Sequence, residues 1–190
     1  MEGDAMYFNV PGPENTGETL KIAVREAIGR KIPEIVVATT TGTTAFTAAE
    51  EVRNQGYGGK LICVTHVYGS RENGKNPLPE EDREKLKKQG VILCTAAHAL
   101  SGAERCLSRK FQGAYPVEII AHTLRMLGQG MKVCVEITAM ALDAGLIQYG
   151  VPVLGVGGTG RGADTAVIIT PGYTNAILET KVHEILCKPL

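Results

Sequence analysis

The chain has 190 residues, 44% of them hydrophobic and 21% charged, the balance of a globular domain with enough interior for a core and not of a disordered chain. Twenty basic residues offset twenty acidic ones, so the basic excess typical of nucleic-acid binders is missing and no nucleic-acid partner is expected. No run of about 18 uninterrupted apolar residues exists, so no span and no membrane partner are expected either.

The opening Met1 to Pro13 reads as irregular, and Met1-Glu-Gly-Asp-Ala-Met6, without a basic start or apolar run, is not expected to be a signal peptide. Asn15 or Thr16 can cap a helix whose apolar positions Leu20, Ala23, Val24, Ala27 and Ile28 recur at helical spacing, until Pro33 ends it. Glu34 to Ala38 is a short apolar strand. Thr43 to Gln55 follows as a helix, Gly56 to Gly59 as a turn and Lys60 to Thr65 as a second strand. A polar loop, Tyr68 to Pro79, leads into a charged helix over Pro79 to Lys88, and Val91 to Cys94 is a third strand.

A helical region runs from Leu100 to Leu127 with a break near Phe111 to Pro116, then a strongly apolar helix from Met131 to Ile147. Val151 to Leu154 and Thr165 to Ile169 are the fourth and fifth strands, and the tail Lys181 to Cys187 alternates as a strand does. Strands that alternate with helices predict one α/β domain over residues 1–190, with a largely parallel sheet covered on both faces. The fourth and fifth strands are joined by a glycine-rich connection without a helix, too short for a parallel crossover, so the fifth strand is expected to be antiparallel.

The strongest chemical signal is Thr39-Thr-Thr-Gly-Thr-Thr44, at the junction of the first strand and the next helix. Ligands of α/β sheets bind outside the carboxyl ends of strands, and a helix N-terminus there offers free N–H groups and a positive dipole end. Gly42 lets the backbone approach an anion closely. The hydroxyls of Thr39, Thr40, Thr41, Thr43 and Thr44 add donors, five where capping the helix needs one. There is no lysine, so this is not the P-loop of ATP-binding proteins. A phosphorylated small molecule is therefore the expected partner.

A second signal, Gly155-Val-Gly-Gly-Thr-Gly-Arg-Gly162-Ala-Asp164, follows the fourth strand. Gly157, Gly158, Thr159, Gly160, Arg161 and Asp164 are its candidate binding residues, and Arg161 offers a fork for phosphate or carboxylate. A mobile hairpin-like connection explains the glycines equally well. Glu136 and Asp143 are seven apart, hence on one face of the apolar helix, either rimming a cavity or forming a narrow solvated stripe. His66 and His98 end the second and third strands and would face the same site, with Asn15 on its rim. His122 and His183 carry no motif, Ser101 lacks a nucleophile context, and no metal-ligand spacing is present. Five cysteines without Cys-x-x-Cys spacing suit a reducing, cytoplasmic setting.

The run Ile35 to Ala45, with Asn15-Thr16, Val64-Thr-His66, Ala99 to Arg105, Val135 to Gly145 and Gly162 to Ala166, resembles a known group over nearly the whole chain. The chain is similar to stand-alone archaeal and bacterial homologues of the C-terminal α/β domain of pyruvate kinase. The resemblance implies a three-layer α/β/α sandwich with a mixed five-stranded sheet of order 3-2-1-4-5, the last strand antiparallel. It also implies a Thr/Ser-rich loop that binds a ligand's phosphate. Thr43 stands where many pyruvate kinases carry arginine.

The stand-alone group is associated with FMN, which makes FMN the expected cofactor, with the 155–164 loop closing over it. The catalytic barrel of pyruvate kinase is not within these 190 residues, so pyruvate kinase activity by this chain alone is not expected. Two readings result: a small-molecule binding protein or flavin-dependent enzyme, or a regulatory module that senses a sugar phosphate and acts through contacts in a homo-oligomer. A weaker third is a lyase or isomerase using His66 and a carboxylate as acid and base.

Overall fold

The computed structural model describes residues 5–190, and the first four residues of the leader reading lie outside the described residues. In chain order the elements are β1 (Met6–Phe8), α1 (Thr16–Gly29), β2 (Glu34–Ala38), α2 (Thr43–Gln55), β3 (Lys60–Thr65), α3 (Glu80–Lys88) and β4 (Ile92–Thr95). They continue as α4 (Gly102–Phe111), α5 (Pro116–Arg125), α6 (Gln129–Asp143), β5 (Val153–Gly157), β6 (Thr165–Thr170) and β7 (Lys181–Pro189). Local chemistry sets several boundaries. Gly56 takes the left-handed conformation at the C-terminus of α2, and Pro116 occupies the first turn of α5, where its missing N–H costs nothing.

One sheet holds seven strands in the order β1-β7-β6-β5-β2-β3-β4. This corrects the expectation of a five-stranded sheet and its order. Two further strands lie beyond β6, so the strand expected to end the sheet is interior. The opening segment, expected to be irregular, supplies one of them: Met6 to Phe8 pairs in parallel with Cys187 to Pro189. The last strand is not the antiparallel one either. β6 is antiparallel to both β5 and β7, so β7 again runs with the others. The physical ground for an antiparallel β6 holds, because the connection from β5 contains no crossover helix.

The sheet is the middle of three layers. Alternate side chains of β2 divide between two cores: Ile35 and Val37 join the cluster with Leu20, Val24 and Ala48 of α1 and α2, whereas Val36 joins the cluster with Met131, Val135 and Ile137 of α6. α6 is buried along most of its length, which is why its sequence is apolar nearly all round. It lies so close to β5 that a Cβ on Gly157 would stand 2.7 Å from the carbonyl oxygen of Gly130. That approach brings the first turns of α6 to the carboxyl ends of β5 and β2. Among the described residues no helix is long and apolar enough to cross a membrane.

Candidate functional site

At the carboxyl ends of β2, β3 and β5 lies a cavity of about 980 Å³. The threonine loop, the glycine loop, the ends of β2 and β3, and one face of α6 from Gln129 to Met140 enclose it. Strand order explains the position. From β2 the chain winds outward through β3 and β4, then returns through α6 to place β5 on the other side of β2, and loops diverging at such a reversal leave a crevice.

Gly42 precedes α2 with a φ of 98°, which only glycine adopts readily, and a Cβ there would meet Leu78 Cδ1 at 2.7 Å. This glycine is the N-terminal cap residue of α2, and the helix has no side-chain cap. Phe46 is the first residue whose N–H returns to the preceding turn, accepted by Gly42 at 2.9 Å. Thr39, Thr40, Thr41, Thr43 and Thr44 line the cavity, and Gly42 shapes the loop without lining it. Thr39 is 5% exposed, and its Oγ1 is buried with no hydrogen-bond partner among the described residues. A buried hydroxyl left this way is costly unless something else satisfies it.

His66 and His98 both line the cavity, with ring centroids 4.7 Å apart. Burial holds both imidazoles below their ordinary range. For His66 the neighbouring His98 and Arg71 add to this, and for His98 the nearby Glu136 opposes it. His98 Nδ1 is 4.0 Å from Glu136 Oε2. Glu136 is buried, accepts the Leu100 N–H at 2.9 Å through Oε1, and pairs through Oε2 with Lys132 one turn earlier on α6. Burial pushes the Lys132 amine down, against the pull of Glu136.

The other expected residues divide. Gly158, Gly160 and Arg161 line the cavity, whereas Gly157, Thr159 and Asp164 do not. Asp164 is fully buried and braces the loop from behind, accepting from Gly12 N at 3.2 Å, Thr159 N at 3.1 Å and Thr165 Oγ1 at 2.9 Å. Asn15 is outside the wall and donates to the Val10 carbonyl, although its neighbours Pro13 and Thr16 are part of it. Asp143 shares a helical face with Glu136 but lies two turns away, where it accepts from the backbone and hydroxyl of Thr174.

Sequence reasoning missed the cations. Lys132, Arg71, Arg105 and Arg125 join Arg161 in the wall, five cationic side chains against the single carboxylate of Glu136. The one legible trace was Lys132 at i,i+4 from Glu136 in an otherwise apolar helix. The arginines come from a loop and from α4 and α5, where nothing local distinguishes them from surface charge.

The family described as pyruvate kinase, alpha/beta domain, matches residues 18–169. Among solved structures, Cryptosporidium parvum pyruvate kinase in complex with ADP is 18% identical, with a TM-score of 0.41, over 93% of this chain and 25% of that one. A second pyruvate kinase structure from Cryptosporidium parvum is 20% identical, with a TM-score of 0.42, over 85% of this chain and 24% of that one. The chain thus spans about a quarter of the length of these enzymes. With well over half of its length matched by the family, the chain belongs to the pyruvate kinase α/β domain family.

Proposed function

We propose that this chain is a small-molecule binding protein that holds a phosphorylated ligand at Thr39 to Thr44, and that the ligand is FMN. The observation that carries the phosphate assignment is the unpartnered, buried Thr39 hydroxyl beside the uncapped N-terminus of α2. Phosphate oxygens would accept from both, and the helix dipole adds to the attraction. The remainder of the cavity suits a flavin: Val64, Val133, Ile137 and Met140 offer an apolar wall to a flat ring, and Gly158 and Gly160 admit close backbone approach. Bound flavin would supply hydride and electron-transfer chemistry, while the protein's residues bind it, orient it and exclude water. Four buried thiols with no disulfide suit a reducing, cytoplasmic setting.

The lining favours a second reading. No Phe, Tyr or Trp is among the lining residues to stack on a flavin ring, so a sugar phosphate sensed by a regulatory module in a homo-oligomer is the alternative.

Titration with FMN tests the first reading. Flavin fluorescence should be quenched and the 155–164 segment protected from proteolysis. Gly42→Val with Thr43→Val should abolish both, and Thr39→Val should weaken binding roughly fivefold or more while leaving stability within about 0.5 kcal/mol, since the lost hydroxyl has no protein partner. Absent or millimolar affinity for FMN, with a sugar phosphate bound instead, rejects FMN. Unchanged binding of both in the double variant rejects the loop.

A further inference from the structure

Lys132 and Glu136 form a buried ion pair that opens on a cavity instead of lying in the core. Such a pair is a weak source of stability, because desolvating both charges offsets their attraction, and an apolar pair would serve packing as well. Its position therefore points to use of the charges. Val133, Ile137 and Met140 beside it keep the environment dry, and His98 stands 4.0 Å from the carboxylate. The threonine loop, on the same cavity, offers an anchor for phosphate.

We propose that Lys132 is an amine nucleophile that forms an imine with a phosphorylated aldehyde or ketone whose phosphate rests on Thr39 to Thr44, a proposal that rests on the phosphate-binding reading of that loop and not on FMN, which such a ligand would displace there. The ammonium of Lys132 passes a proton to Oε2 of Glu136 across their hydrogen bond, leaving a free amine. The nitrogen lone pair then attacks the carbonyl carbon: an N–C bond forms, the C=O π bond breaks, and a proton moves from nitrogen to oxygen, giving a carbinolamine. Glu136, now a carboxylic acid, protonates the hydroxyl, which leaves as water while the nitrogen lone pair forms the C=N bond. The iminium remains and Glu136 is again a carboxylate. Three protons start on nitrogen; one stays there and two leave in water, with no oxidant or reductant required. Burial, which lowers the proton affinity of Lys132, enlarges the free-amine fraction at neutral pH.

The test is reductive trapping on the full chain. Glyceraldehyde 3-phosphate is added with borohydride, which reduces an imine to a stable secondary amine, and the labelled peptides are identified by mass spectrometry. Lys132 should be trapped about tenfold or more faster than the exposed Lys21 and Lys181, as a desolvated amine beside a proton acceptor would be. Lys132→Arg, which keeps the charge and the pair, should leave that peptide unlabelled and the circular dichroism spectrum unchanged. Trapping of Lys132 no faster than Lys21 overturns the proposal, as does equal trapping by glyceraldehyde without phosphate. Calorimetry with inorganic phosphate separates the two readings. Phosphate binding without trapping at Lys132 refutes the imine and leaves the anion site standing, and loss of both refutes both.

Discussion

Lys132 Nζ donates to Glu136 Oε2 across one turn of α6, with the two side chains only 6% and 5% exposed. The same carboxylate accepts the Leu100 N–H through its other oxygen, so Glu136 ties the segment after β4 to the helix that walls the cavity. One carboxylate thus fixes a cation and a chain segment at the edge of the site.

Replacing Glu136 by Gln keeps an acceptor for Leu100 but leaves Lys132 without its counter-charge in a buried setting. A loss of about 3–5 kcal/mol is expected, read as a lower denaturant midpoint at unchanged slope. Lys132→Met combined with Glu136→Gln should recover most of it, since neither charge then remains to be desolvated and the Leu100 N–H keeps an acceptor. A loss below about 1 kcal/mol for Glu136→Gln alone would show that solvent screens the pair.

Asp164 is the brace of the glycine loop. Asp164→Ala removes the acceptor of Gly12 N, Thr159 N and Thr165 Oγ1, a cost on the order of 3 kcal/mol. The exposed Arg161 lies within the released segment, so tryptic cleavage after it should accelerate more than global unfolding explains. Cleavage unchanged relative to wild type would show that the loop is held elsewhere.

The histidine pair predicts an acid limb. Burial depresses both His66 and His98 from the ordinary value of 6.5, so the unfolded chain binds their protons before the folded chain does. Stability from this source is complete above about pH 6.5 and is lost as pH falls from there through the folded values. Chemical denaturation between pH 7.5 and pH 5 should show the decline. His66→Gln with His98→Gln should flatten it, and a double variant with the same slope would assign the limb to other groups.

Among the features legible in the sequence, Thr39 to Thr44 announced itself because strand, glycine, threonines and helix are adjacent in the chain, and a helix N-terminus is a local object. The antiparallel β6 was legible for a similar reason, since the length of one connection limits how two strands can pair. By contrast, β1 pairs with β7, and Met6 meets Cys187 only after the whole domain has closed, so no local pattern marks three residues as a strand. Asp164 read as a ligand residue because its glycine neighbours did. Its role as a brace comes from Gly12, brought to it across the fold. Arg71, Arg105 and Arg125 had the appearance of surface charge, and only the packing of α4, α5 and the loop after β3 around the β2–β5 reversal gathers them on one wall with Lys132. Sequence by itself determined the helices, the strands β2 to β7, the α/β class and the threonine loop at a strand-to-helix junction, because backbone propensity, side-chain periodicity and helix-end chemistry act over a few residues. The tertiary structure alone decided the cavity's charge and the partners of its buried groups, because those depend on which faces are turned inward when distant segments pack.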